Sequence, residues 1–356
     1  MIFKQRYRQV MRFAALAGAL SSTAMVAEAN NTSLAPTVST SVLPGEPSLR
    51  GSAMTTQTMW VTGSNNAVFM SNDGGKTWLN RSPQLTEGSD FRDIEVFSDK
   101  HAIVMSVGTG DASKLLETKD GGASWQLLYQ NVHEQGFFDS IGFWDENVGL
   151  LLGDPVDGYY VVEKTEDGGK SWRRIAKTKL PAMLDKEAAF AASGNTLIVG
   201  EKGKAWITTG GFSASIYVSH DYGESWQRQS VPLYSETQTA GGYGLAINHK
   251  QQVFVLGGDY QQRPKNYANI ATFSGNEWQI VNAGNHGLRT AMSCIPSVCL
   301  ATGKTGNDIS YDQGITWHSF DASEDKQGDK GYYTATTNGQ VVLTAGANGR
   351  VGVWRF

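Results

Sequence analysis

The 356-residue chain has only two cysteines, Cys294 and Cys299, and six histidines scattered singly with no ligand spacing. A tetrahedral zinc site needs further ligands at short spacing, so no metal is expected. There is no Cys-x-x-Cys pair, no haem attachment motif, and no Gly-x-Gly-x-x-Gly following a strand. Redox chemistry on a bound cofactor therefore has no support, and no cofactor is expected. Basic charge is also short: 30 Lys and Arg stand against 34 Asp and Glu, for a net charge of −4. Without a basic footprint, nucleic acid is excluded as an expected partner. Beyond the first 29 residues no run is long and apolar enough to span a bilayer. Helical periodicity is scarce throughout.

The first 29 residues have a different character. Lys4, Arg6, Arg8 and Arg12 form a basic start, Phe13 to Ala27 an apolar middle, and Ala27-Glu28-Ala29 a small-x-small end. This reads as a cleavable secretory signal peptide over residues 1–29, with Asn30 as the first mature residue and a periplasmic or secreted destination. The competing reading, a membrane anchor, sits poorly with Ser21, Ser22 and Thr23 inside a short apolar run. Cleavage removes four basic residues and one acidic, moving the net charge from −4 to −7. In an oxidising compartment the close pair in SCIPSVCLATG reads as a disulfide, Cys294 to Cys299, joining two strands across a turn.

What the chain does have is repetition. SNDGGKTW, TKDGGASW, TEDGGKSW, SHDYGESW and SYDQGITW end at Trp78, Trp125, Trp172, Trp226 and Trp317, and a degenerate copy ends at Trp278. Successive tryptophans lie 47, 47, 54, 52 and 39 residues apart, a period that suits one four-stranded propeller blade per repeat. FRDIEVF, AIVMSVG, LLETKD and SWQLLYQ within one unit read as four short strands joined by hairpins. The expected fold class is all-β, a seven-bladed β-propeller over residues 48–356, with six or eight blades as alternatives. Blades are expected at Ser48–Ser82, Asp90–Gln130, Phe137–Thr178, Lys186–Val231, Gly241–Asn282 and His286–Phe320. The seventh has three evident strands, YYTATT, QVVLTAG and GRVGVWRF. Its fourth is expected from APTVSTSVL (Ala35 to Leu43), within the N-terminal segment 30–47, which would remove free sheet edges.

In each repeat an Asp (Asp73, Asp120, Asp167, Asp221, Asp312) can accept hydrogen bonds from backbone N–H groups a few residues on. A following Gly tolerates positive φ, and the Trp supplies apolar surface to pack between sheets. No nucleophile is present, so these residues read as structural. Ser/Thr-x-Asp-x-Gly-x-Ser/Thr-Trp is the Asp-box, or BNR, repeat found in sialidase-type and non-enzymatic propellers. The longer pattern, FRDIEVFSDKHAIVMSVG and SIGFWDENVGLLLGD between successive boxes, resembles the photosystem II assembly and stability factor family. It resembles more closely that family's exported bacterial relatives. DPVDG (Asp154 to Gly158), EAAFAASG (Glu187 to Gly194), ITTGG (Ile207 to Gly211) and GGDY (Gly257 to Tyr260) carry the likeness. The resemblance implies seven blades and an arginine-bearing surface for a protein partner.

In a propeller the Asp-box turns share a face with the turns between first and second strands. The opposite face carries the starts of the inner strands and the loops between second and third strands. On it fall Arg50, Arg92 and Arg289, with Asp139, Glu187, Tyr243 and Tyr333 around them, and Asp111, Asp154, Asp157, Asp259 and Tyr260 from the loops. Converging arginines can hold carboxylates or phosphates through forked hydrogen bonds. The expected function is an exported, non-catalytic scaffold or assembly factor that binds another exported or envelope protein at this channel mouth. The alternative is a sialidase-like glycoside hydrolase at the same mouth. That chemistry needs three arginines and a Tyr–Glu pair, for which Tyr243 and Glu187 are the candidates. Arg50 lacks the Ile-Pro that follows the sialidase arginine. A third possibility is that Arg92, Asp93, Asp139 and Glu187 only tie blades together.

Overall fold

The computed structural model describes residues 35–356 apart from residues 86, 264, 266–267, 282–286 and 321–330. The expected signal peptide and Asn30 lie outside the described residues, as do the expected blade limits Asn282 and His286. Short alternating strands broken by Gly, Asn and Asp turns leave no α-helix among the described residues. The strands form seven four-stranded antiparallel sheets.

The first strand, β1 (Thr37–Val42), belongs to the last sheet. Blade 1 follows as β2 (Leu49–Met54), β3 (Met59–Gly63), β4 (Val68–Ser71) and β5 (Leu79–Asn80). Blade 2 contains β6 (Asp90–Val96), β7 (Ala102–Val107), β8 (Lys114–Thr118) and β9 (Gln126–Gln130). Blade 3 contains β10 (Phe138–Phe143), β11 (Gly149–Val156), β12 (Tyr159–Thr165) and β13 (Arg173–Arg174). Blade 4 contains β14 (Leu197–Val199), β15 (Ala205–Thr209), β16 (Ser215–Ser219) and β17 (Gln227–Ser230). Blade 5 contains β18 (Ala240–Ile247), β19 (Val253–Asp259), β20 (Ile270–Ser274) and β21 (Glu277–Ile280). Blade 6 contains β22 (Ala291–Ile295), β23 (Val298–Gly303), β24 (Gly306–Ser310) and β25 (His318–Ser319). Blade 7 contains β26 (Thr334–Thr337), β27 (Val342–Ala345) and β28 (Arg350–Arg355), completed by β1. β1 runs antiparallel to β28, with Thr37 opposite Arg355 and Val42 opposite Arg350. The first strand of each blade touches the first strand of the next all the way round, β26 meeting β2, so the ring is closed.

The apolar core is divided among the blade boundaries. Seven clusters of buried side chains each join two neighbouring blades, such as Trp60 and Met70 with Phe91 and Val104, or Leu150 and Val162 with Ile207 and Trp226. Each Asp-box tryptophan packs into the boundary with the preceding blade: Trp78 against blade 7, Trp125 against blade 1, Trp172 against blade 2, Trp226 against blade 3 and Trp317 against blade 5. Trp125 also donates its indole N–H to the Arg81 carbonyl of blade 1, at 2.7 Å.

The turns that place these tryptophans are nearly identical. In the second box Thr118 Oγ1 donates to Asp120 Oδ1 (2.8 Å) and accepts from the Gly122 N–H (2.8 Å). Asp120 accepts from the Ser124 N–H (2.9 Å) and hydroxyl (2.6 Å). The bonds recur around Asp73, Asp167, Asp221 and Asp312. With its carboxylate so engaged, Asp120 is pulled down to about 2, first by the Ser124 hydroxyl and then by its N–H, and Asp167 likewise by Ser171. The Gly two residues after each box Asp has both positive φ and little room: a Cβ at Gly314 (φ +95°) would lie 2.6 Å from Phe254 of the preceding blade. The boxes sit beside the turns between first and second strands, the Gly121 N–H bonding to Lys100 O and the Gly168 N–H to Asn147 O, both 2.9 Å.

Blade 4 departs from expectation. Its inner strand starts at Leu197, eleven residues after the expected Lys186. Ala188 still pairs with Gly210 just beyond β15, but the residues from Ala189 onward leave the sheet for the channel mouth. Cys294 and Cys299 are directly paired in the β22–β23 hairpin and joined by a disulfide.

Candidate functional site

The starts of the inner strands and the loops between second and third strands surround a cavity of about 440 Å³ on the ring axis. Arg50 comes from β2, Arg92 from β6, Asp139 from β10, Asp154 from β11 and Tyr243 from β18, while Tyr260, Lys304 and Tyr333 stand just outside β19, β23 and β26. Blade 4 contributes Ala189 to Ala192 from the segment before β14. Thus every blade reaches the cavity.

Residues 189–195 form a crosspiece over the channel, fixed mainly through their own backbone. Arg50 Nη1 donates to Ala192 O (2.8 Å), and Arg92 Nη1 to Ala191 O (2.6 Å). Ser140 Oγ of blade 3 donates to Gly194 O (3.0 Å), and the Leu245 N–H of blade 5 to Asn195 O (2.8 Å). Phe190 stacks on Tyr243 with ring centroids 4.4 Å apart and meets the edge of Tyr260. Beneath the crosspiece Asp93 is buried and accepts from the Ile94 and Ile141 N–H groups and from Ser140. Burial outweighs those donors and pushes its carboxyl up to about 7.

Charge is unevenly distributed around the mouth. The Arg50 guanidinium lies 4.6 Å and the Lys304 ammonium 4.9 Å from the centroid of the Tyr333 ring, in cation–π contact. Arg92 is paired to Asp90 through Nε and Nη2, both 2.8 Å. The other side holds Asp154, open to solvent, and Asp139, which is 1 % exposed. Burial, reinforced by the Asp154 charge, drives the Asp139 carboxyl well above the usual carboxylate range, with Arg92 pulling the other way.

Seven sequence-derived candidates therefore meet here: Arg50, Arg92, Asp139, Asp154, Tyr243, Tyr260 and Tyr333. The structure places the others elsewhere. Arg289 is fully buried and paired with the equally buried Asp308 through Nε (2.7 Å) and Nη2. Glu187 turns inward, accepting from the Leu184 N–H (2.7 Å), the Tyr217 hydroxyl (3.1 Å) and Thr209. Asp259 is buried and accepts from Thr237 (2.8 Å) and Thr239 (2.7 Å); burial opposes its charge, but these bonds hold it below the ordinary range. Asp157 sits at the β11–β12 tip, paired with Lys177 at 2.6 Å, and Asp111 is exposed in a turn. Glu187 and Tyr243 do not form the pair a sialidase-like reaction requires, since the Tyr243 hydroxyl donates to Thr239 O. With Arg289 buried, that reading loses its third arginine as well. Lys304, Phe137, Phe190 and the alanine carbonyls were not singled out by sequence; the only signal was the Phe flanked by alanines in EAAFAASG. Among the described residues no cluster of His, Cys, Asp or Glu is arranged to hold a metal, and no helix is long and apolar enough to cross a membrane.

The chain is a BNR-type β-propeller of seven blades. It resembles the photosystem II assembly factor: the sequence profile of the family described as Photosynthesis system II assembly factor YCF48 matches residues 105–198. That stretch includes Asp139, Asp154 and the crosspiece. Among solved structures, YCF48 bound to a D1 peptide is 15 % identical with a TM-score of 0.66, covering 90 % of this chain and 97 % of that one. YCF48 from Cyanidioschyzon merolae is 14 % identical with a TM-score of 0.63, covering 89 % and 98 %. Catalytically inactive virginiamycin B lyase from Staphylococcus aureus with quinupristin is 11 % identical with a TM-score of 0.64, covering 90 % and 100 %. At these identities the likeness is one of fold. No curated protein matches the chain.

Proposed function

We propose that this protein is an exported, non-catalytic propeller that binds a segment of another exported or envelope protein at the channel mouth, as an assembly or stability factor. The observation that carries the reading is the cavity itself. Every blade contributes to it, it is lined by aromatic rings with a few charged groups, and crosspiece residues Ala189 to Ala192 form part of its wall. Aromatic and arginine side chains in such a cavity are the residue types that dominate protein–protein recognition. A propeller of the same shape, YCF48, has been solved with a D1 peptide, which supports a peptide-sized occupant for this fold. The basic start and apolar run of residues 1–29 support export.

The test is affinity capture from the native envelope with wild-type protein and with a Tyr260→Ala, Lys304→Ala variant, read by mass spectrometry. Neither side chain belongs to the apolar clusters between blades, so the variant should keep the β-sheet circular dichroism of the wild type. A protein retained by the wild type and lost by the variant is expected. If the same proteins adhere equally to both, the mouth is not the binding surface.

A further inference from the structure

Position around the ring gives the mouth a direction. Asp139 and Asp154 stand on blade 3, whereas Lys304 belongs to blade 6, Tyr333 to blade 7 and Arg50 to blade 1. In a closed ring of seven, blades 6 and 7 are those farthest from blade 3. The cavity therefore has the Asp139 and Asp154 carboxyl groups on one side and Arg50 and Lys304 on the other, with Phe190, Tyr243 and Tyr260 between them along one flank and Arg92, paired with Asp90, along the other.

The carboxyl side has unmet hydrogen-bonding capacity. Asp139 lines the cavity, is 1 % exposed, and its Oδ2 is buried with no hydrogen-bond partner. A buried carboxyl oxygen without a partner is costly unless something fills the position. The Ser140 hydroxyl is engaged with Asp93 and with Gly194 O of the crosspiece, and Arg92 is bonded to Asp90 and to Ala191 O. Beside it Asp154 offers a solvent-open carboxylate, and Phe137 an apolar flank along which an alkyl stem can lie.

We infer that the mouth takes its ligand in one polarity, an ammonium or guanidinium group against Asp139 and Asp154 and a carboxylate against Arg50 and Lys304. The occupant is a peptide segment of the partner carrying a basic side chain and an acidic group, so the inference rests on the partner-binding reading and specifies what is bound. Lysine or arginine on the segment would give Asp139 Oδ2 the donor it lacks.

The test needs no knowledge of the partner. The purified protein is titrated, with ligand-observed NMR, against 4-aminobutyrate, 6-aminohexanoate and 8-aminooctanoate, and against hexanoate and hexylamine as single-charge controls. At least one amino acid of the series should bind tenfold or more tightly than either control. An Asp139→Asn, Asp154→Asn variant should lose that advantage and keep hexanoate binding unchanged. The inference is overturned if, in the wild-type protein, no member of the series binds better than hexanoate. That result would leave envelope capture dependent on Tyr260 and Lys304 intact, which separates the two failures.

Discussion

Asp93 and Gly194 compete for the same space: a Cβ built on Gly194 would lie 1.9 Å from Asp93 Oδ1, and Ser140 bonds to both residues. The crosspiece approaches the inner strands this closely only because residue 194 has no side chain. Gly194→Ala should therefore lift the crosspiece, at a cost of about 1–3 kcal/mol as in other overpacked sites. Hydrogen exchange of residues 189–196 should speed up while the blade strands stay protected. Unchanged exchange there would show that the contact is relieved elsewhere.

The five Asp-box carboxylates should make the ring sensitive to acid. Asp120 and Asp167, held near 2 when folded, return to about 3.9 when unfolded. A lowered folded pKa gives stability that is complete above the unfolded value and lost as pH falls through the folded one. The urea midpoint should thus fall between pH 4 and pH 2, and fall less steeply in Asp167→Asn. A parallel decline in both proteins would assign acid sensitivity to other groups.

Glu95 predicts the opposite slope. Burial, with the Asp93 charge added, raises its carboxyl to about 8. Stability contributed by the protonated form is complete below about 4.3, the unfolded value, and drains away as pH rises to about 8. Glu95→Gln should be more stable than the wild type at pH 9 and no more stable at pH 4, measured by thermal unfolding. A constant difference across that range would show that Glu95 stays ionised.

The Cys294–Cys299 bond closes a loop of few residues in a hairpin already paired at that position. Loop entropy then gives about 2 kcal/mol. The double serine variant should melt a few degrees lower and retain the fold, because Met292, Ala301 and Trp317 still pack the blade 5–6 boundary. Loss of the β-sheet circular dichroism signal would show the bond to be essential.

The ring was legible in the sequence because each Asp box is a local event. Every bond of Asp120 is to a residue within four positions, so composition and spacing suffice to find it. The mouth was only half legible. Inner-strand starts such as Arg50 and Asp139 follow from strand order, but whether a side chain meets the cavity depends on partners far away in sequence. Arg289 finds Asp308, Glu187 finds Tyr217, and both turn inward. The crosspiece is hidden for a related reason: KEAAFAASG stands where an inner strand is due, yet its Ala191 and Ala192 carbonyls are satisfied by Arg92 and Arg50, some 100 or more residues away.

The pairing of β1 with β28 sets an order on biogenesis. β1 has no partner until β28 has been made, so Val38 and Ser41 wait through the synthesis of all six intervening blades without their ladder. Blades 1 to 6 each contain all four of their own strands and can form as they appear, whereas the seventh cannot. A chain stopped short of Val351 would carry six complete blades and two unpaired edges, a form suited to proteolysis or aggregation rather than to partial activity.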